Sequence, residues 1–121
     1  MTPHGDVWPA QAVDAPFAYL TTIGRASGRP HRIEIWFALD SGRVLLMSGG
    51  RDRSDWVKNL IADPRVAIEI AGVRRSGIAA VAPPESTDDA LARRLLVMKY
   101  QRRDELLDWG RRSLPVVVEV D

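Results

Sequence analysis

The chain has 121 residues, 45% of them hydrophobic, and its 17 Lys and Arg against 16 Asp and Glu leave a formal net charge of +1. That length suits one domain with a full core, and the near-balance of charge excludes bulk electrostatic capture of nucleic acid or of an anionic membrane. The lack of cysteine excludes disulfides, thiolate metal ligands and thiol nucleophiles, and the two histidines, His4 and His31, stand in no metal-ligand spacing.

Residues 1–15 read as a proline-containing N-terminal tail without an apolar run, which fits neither a signal peptide nor a membrane anchor. A soluble, cytoplasmic protein is expected, with its domain over residues 16–121. Residues 17–24 read as a first strand. The β-branched Thr21-Thr22-Ile23 then enters a segment in which Gly24, Ser27, Gly28 and Pro30 favour a turn. Around that turn Arg25, Arg29, His31 and Arg32 crowd into eight residues. Like charges so close repel, and a phosphate or carboxylate among them relieves that repulsion by accepting hydrogen bonds from arginine forks and turn amides. A solvated turn in an arginine-rich chain is the competing reading, since 15 of the 17 basic residues are arginine.

From 31 to 40 the chain alternates, with His31, Ile33, Ile35, Phe37 and Leu39 on one face and Arg32, Glu34, Trp36, Ala38 and Asp40 on the other. One strand is expected here, making the arginine-rich turn a hairpin tip. Ser41-Gly42 turns the chain into the apolar run 43–48, a buried strand. After Ser48-Gly49-Gly50 and the polar Arg51-Asp52-Arg53, a helix is expected, with Ser54 as its cap, Asp55 in its first turn and Trp56, Val57, Leu60 and Ile61 as its apolar stripe. It ends before Asp63-Pro64. Residues 65–71 and 76–82 read as strands. Pro83-Pro84 stops the second, and a helix follows from Ser86 or Thr87 with Leu91, Leu95 and Met98 on one side. A turn through Leu106 and Trp109 precedes a last strand at 115–120. The fold class expected is α+β, a six-stranded, mainly antiparallel split β-barrel with two short covering helices.

The segments 20–37, 42–50, 54–70 and 114–120, in that order, resemble the flavin/deazaflavin oxidoreductase family, which includes deazaflavin-dependent nitroreductases, over roughly residues 16–121. The resemblance implies a split barrel like that of the pyridoxamine-phosphate-oxidase group. It also implies binding of coenzyme F420, or of FMN or another ligand in some branches. It assigns the cofactor's phosphate tail to the turn, through Arg25, Ser27, Gly28, Arg29, Pro30 and His31. Ala26 stands where the family commonly has lysine, so one cationic contact is absent, with Arg29 and His31 placed to compensate. Ser48, Gly49 and Gly50 match the turn that lets backbone approach the ring system, and Trp56, Lys58 and Asn59 lie in the matching Trp-x-x-Asn-Leu helix start. Trp56 also reads as a plain core anchor.

The chemistry so implied is hydride transfer from a reduced ring to a small organic acceptor, for which the protein supplies orientation and exclusion of water. No Ser-His-Asp order, paired-carboxylate signature or P-loop is present. Tyr100 and Trp109 are the candidates for the acceptor-pocket walls, and Tyr100 is the candidate proton donor; both also read as packing residues. A homodimer is compatible with the resemblance. Two other readings are a non-catalytic carrier of a flavin, tetrapyrrole or fatty acid, and a single-stranded nucleic-acid binder. The latter needs exposed aromatics interleaved with basic residues, and only Trp36 beside Arg32 fits.

Overall fold

The computed structural model of the chain describes residues 8–100 and 105–121, the side chains of 105–107 excepted. His4 and the side chain of Leu106 therefore lie outside the described residues. The strands are β1 (Ala18–Ile23), β2 (Pro30–Ile35), β3 (Ala38–Asp40), β4 (Arg43–Ser48), β5 (Arg65–Ile70), β6 (Val73–Val81) and β7 (Leu114–Val120). The helices are α1 (Asp55–Ala62), α2 (Thr87–Lys99) and α3 (Glu105–Arg112), so the late segment is a third helix rather than a turn.

All the described strands join one 7-stranded sheet in the order β2-β1-β5-β6-β7-β4-β3, every neighbouring pair antiparallel. This order explains why the expected strand at 31–40 is two, and the strand count seven rather than six. β2 pairs with β1 at one edge, and β3 pairs with β4 at the other. Only Trp36 and Phe37 separate β2 from β3, so the sheet curls until its two unpaired edges are one short link apart, and the chain steps across the seam between them. The result is a split barrel.

The alternation read from the sequence survives the step. Ile33, Ile35, Phe37 and Leu39 pack with the barrel interior, among Leu20, Val44, Leu46, Ile68, Val116 and Val118. Trp36 and Ala38 belong to a second core outside the barrel wall, with Leu45, Met47 and Val117 under Ala92 and Leu96 of α2. β4 and β7 are thus covered on both faces, which is why they read as continuous apolar runs.

Local chemistry closes the hairpins. Ser41 and Gly42 both have positive φ, 51° and 86°, as do Ala71 and Gly72 at 52° and 81°, the pattern of two-residue turns matched to strand twist. The second turn was not legible, so β6 begins at Val73 rather than at 76; Arg74 stands opposite Glu69 in its register. In α1, Val57 and Leu60 are buried as expected, but Ile61 is 61% exposed. The helix turns Asn59 inward instead. Ser54 occupies the N-cap position without capping.

The buried face of α2 is Asp89, Ala92 and Leu96 rather than a stripe ending in Met98, which is 64% exposed. Ser86 caps this helix through the Asp89 N–H, 3.1 Å. Asp89 accepts from Glu85 N–H (2.8 Å) and from Arg93 Nε (2.7 Å), which satisfies its buried carboxylate.

Residues 8–15, set apart above as tail, pack onto the barrel. Trp8 is buried and donates its Nε1–H to Gly42 O at 3.0 Å, and Ala12, in a short 3-10 helix over Ala10–Asp14, is fully buried. Among the described residues no helix is long and apolar enough to cross a membrane.

Candidate functional site

The β1–β2 tip folds on itself before it meets any ligand. Gly28 N–H donates to Gly24 O (2.8 Å), Gly24 N–H to Arg29 O (2.8 Å) and Arg29 N–H to Ser27 Oγ (3.1 Å). Gly28 takes φ +72°, which glycine adopts freely. At Gly24 a Cβ would come within 2.5 Å of His31 Nε2 and 2.6 Å of Ser27 Oγ, so only glycine lets these side chains fold over the turn.

Arg25 is spent largely on α1. Its N–H and Nη1 both donate to Asn59 Oδ1, at 3.2 and 2.8 Å, and its Nη2 pairs with Asp55 Oδ1 at 3.1 Å. Asn59, only 4% exposed, donates in turn to Thr22 Oγ1 at 3.2 Å. Asn59 is therefore the pin between helix and turn. Among the described residues no protein acceptor takes the N–H of Ala26 or Ser27, whereas the amides of Gly24, Arg25, Gly28 and Arg29 are all engaged within the protein. Exposed Arg29, in the same turn, and exposed Lys58, beside Asn59 on α1, make no ion pair with a described residue. A concavity of about 320 Å³ lies here, lined by Arg25, Ala26, Ser27, His31, Asp55 and Asn59 together with Gly24. Pro30 is exposed at its flank as the first residue of β2.

The second expected element, Ser48-Gly49-Gly50, lies at the other side of the α1 N-terminus. Ser48 Oγ donates to Arg51 O at 2.9 Å, so the hydrogen in its 2.7 Å contact with Ser54 Oγ belongs to Ser54. That contact is why Ser54 does not cap the helix. Consecutive residues of one helix start thus touch both candidate elements, Ser54 reaching Ser48 and Asp55 reaching Arg25. Arg51 has φ 54° and donates from Nη1 to Arg112 O at 2.7 Å, tying the turn to α3. Trp56 packs against the barrel core from a partly exposed position, as a core anchor does.

Trp109 of α3 covers the glycine turn, its Nε1 lying 3.2 Å from where a Gly49 Cβ would be. Its ring meets Trp36 edge-on (centroids 5.5 Å, 79°), and Trp36 stacks on Tyr100 at 4.3 Å and 5°. Trp36 belongs to this aromatic wall; alternation placed it opposite the barrel face but could not show what lay there.

Tyr100, 5% exposed, does not present its hydroxyl as a free acid. The oxygen accepts from Phe37 N–H at 3.1 Å, and its one proton goes to Pro16 O at 2.9 Å or Phe37 O at 3.2 Å. Burial pushes its pKa up, with the Phe37 hydrogen bond opposing. Lys99 Nζ sits 3.5 Å from the centroid of the Phe37 ring without a hydrogen-bond partner among the described residues, and burial brings its pKa down to about 8, partly opposed by Asp14.

A family model described as F420H2-dependent quinone reductase matches residues 4–121. Solved structures share the fold. A conserved hypothetical protein from Mycobacterium tuberculosis is 23% identical over 92% of this chain and 77% of its own, with a TM-score of 0.73. An F420-H2-dependent reductase is 24% identical over 86% of this chain and 94% of its own, with a TM-score of 0.69. A Listeria innocua structure named for pyridoxamine 5′-phosphate oxidase is 15% identical over 88% and 84%, with a TM-score of 0.63. The cofactor of the matched family is F420. The chain belongs to the F420H2-dependent quinone reductase family and is an oxidoreductase.

Proposed function

We propose that this protein passes a hydride from reduced F420 to a small, flat organic acceptor, a quinone or nitro compound, held against the aromatic wall. The observation that carries this reading is the α1 N-terminus, where Ser54 touches Ser48 of the glycine turn and Asp55 pairs with Arg25 of the arginine-rich turn. Such a site suits an elongated ligand with an anionic tail at one end and a ring at the other.

The donor set fits the tail. The free N–H groups of Ala26 and Ser27, the cations of Arg29 and Lys58, and His31 are the chemistry of phosphate recognition. Gly28 and Pro30 shape that cradle. Arg25 and Asn59 hold it to α1, with part of the Arg25 guanidinium still open to the concavity. Ser48, Gly49 and Gly50 border the ring, and Trp56 supports the helix from the core side. When bound, reduced F420 supplies the hydride; a quinone that takes it together with a proton becomes a quinol. The chain's own residues orient the two rings and keep water from between them. The packing of Trp109 on Gly49 brings the acceptor wall to the ring end of the site.

The test is a fluorescence titration of the purified protein with F420 and, separately, FMN, followed by oxidation of F420H2 in the presence of quinone and nitro acceptors. Saturable F420 binding with acceptor-dependent turnover supports the reading. A preference for FMN changes the cofactor, and binding without turnover for any acceptor makes the protein a carrier. Sedimentation of the same preparation reads out the homodimer.

A further inference from the structure

We propose that Trp36 is the ring that the acceptor stacks on, and that Tyr100 is a positioning residue that fixes this ring from behind. The assignment rests on the acceptor-side reading above and gives it a residue outside the turns and the α1 helix start.

It begins at the barrel seam. Where the chain leaves β2 for β3, Phe37 has no neighbouring strand to take its backbone N–H, and Tyr100 Oη takes it at 3.1 Å. The same hydroxyl reaches the carbonyl of Pro16 at 2.9 Å and that of Phe37 at 3.2 Å. One side chain from the end of α2 thereby holds the seam and the start of the barrel together. Trp36 is the residue next to this clamp, and its indole lies flat on the clamped phenol, 4.3 Å away with planes 5° apart. Trp109 blocks it edge-on at 5.5 Å. A ring held on one face and at one edge has no freedom to swing, yet Trp36 stays partly exposed.

The electron-rich free part of an indole selects planar, electron-poor rings by offset stacking and needs no charge on the ligand. Quinones and nitroaromatics have that character. Tyr100 acts through Trp36 rather than on the acceptor, because its proton is committed to a backbone carbonyl.

The experiment compares wild type with Tyr100→Phe and Trp36→Phe, using F420H2 with benzoquinone and naphthoquinone as acceptors, together with near-ultraviolet circular dichroism and an F420 titration. Tyr100→Phe keeps the ring but loses the clamp. It is expected to weaken the tryptophan dichroism band and raise acceptor KM about fivefold or more, with kcat changing less, the F420 Kd unchanged and the pH profile of kcat keeping its shape. Trp36→Phe is expected to raise KM more for the two-ring acceptor than for the one-ring acceptor. A hundredfold fall in kcat at unchanged KM with the alkaline limb of the profile altered would make Tyr100 the proton donor and overturn the assignment. An unchanged dichroism band in a folded Tyr100→Phe would overturn it too, as would equal KM shifts for both acceptors in Trp36→Phe. If Tyr100→Phe does not fold, the Trp36→Phe comparison decides. Failure of wild type to oxidise F420H2 with any acceptor would sink the functional reading itself, and with it the acceptor role of Trp36. The dichroism comparison still decides whether Tyr100 positions Trp36.

Discussion

Asn59 satisfies three polar groups from a nearly closed position, the Arg25 N–H, the Arg25 guanidinium and the Thr22 hydroxyl. Asn59→Ala leaves the inner members of that set without partners and is expected to cost about 1–3 kcal/mol. Thermal or urea unfolding measures the loss, and F420 affinity should fall with it because the turn is no longer pinned to α1. Arg25→Ala differs. Its ion pair with the exposed Asp55 contributes about 0–1 kcal/mol, so stability should barely move while F420 binding weakens. Unchanged affinity would remove Arg25 from the site. Ala26→Lys restores a cation beside the free amides of the tip. It is expected to tighten F420 binding by up to about tenfold, in line with one charge-assisted hydrogen bond of roughly 1.5–3 kcal/mol less the cost of ordering the lysine. Equal or weaker binding would place the tail elsewhere.

At the level of elements, α2 and α3 form the cover over the outer core. Arg93 of α2 donates from Nη1 to the carbonyls of Gly110 and Arg111, at 2.7 and 2.8 Å, and so satisfies the last turn of α3. Gly110 permits the close approach, since a Cβ there would run into Val97. On the opposite side of the cover, Arg43 joins the β3–β4 hairpin to α2 through Asp88 (2.9 Å) while also pairing with Asp40 of its own hairpin (2.7 Å), and it holds the Asp88 carboxyl below the usual carboxylate range.

Lys99 at the end of α2 works against the fold near neutral pH. Its folded-state pKa of about 8 lies below its ordinary 10.5 because burial penalises the ammonium. Between these values the unfolded chain binds more protons than the folded one, so stability rises as pH increases from 8 to 10.5. Below 8 the penalty is present in full, moderated by the Phe37 ring and by Asp14. Lys99→Met should raise the melting temperature at pH 7 and flatten the rise above pH 8. A steeper rise, or a lower melting temperature at pH 7, would mean that the cation–π contact outweighs burial.

For the whole molecule, closure of the barrel depends on contacts far apart in the chain. Trp8 reaches Gly42, Tyr100 reaches Pro16 and Phe37, and β7 lies between β4 and β6. Trp8→Ala is expected to cost about 3–5 kcal/mol, the usual loss for a large buried aromatic. A chain lacking residues 1–15 should therefore unfold at lower temperature than the full chain. An unchanged melting temperature would show that this stretch is a dispensable tail. Much of the architecture was legible beforehand. Strict alternation marked β5, double-sided burial marked β4 and β7 as apolar runs, and proline and serine bounded α1 and α2. The turn at Ala71-Gly72 was missed because the strands read from the sequence, 65–71 and 76–82, leave residues 72–75 outside both, whereas in the sheet Arg74 stands opposite Glu69.

The candidate site divides along the same line. Glycine, serine, proline and clustered cations are local signals, since a turn's backbone geometry and its affinity for anions depend on residues adjacent in the chain. The sequence alone was therefore enough to mark residues 24–31 and 48–50 as turns, the first of them rich in cations, and to predict an α+β sheet of antiparallel hairpins. Only the tertiary structure decided that Arg25 is shared with Asp55 and Asn59, that Ser54 serves Ser48 rather than its own helix, and that Tyr100 clamps backbone. Each of those choices is a competition for a hydrogen-bond partner between segments distant in sequence. It also decided that one alternating run is two strands, because a pattern of faces specifies which side of a residue is buried and not which edge of the sheet its backbone joins.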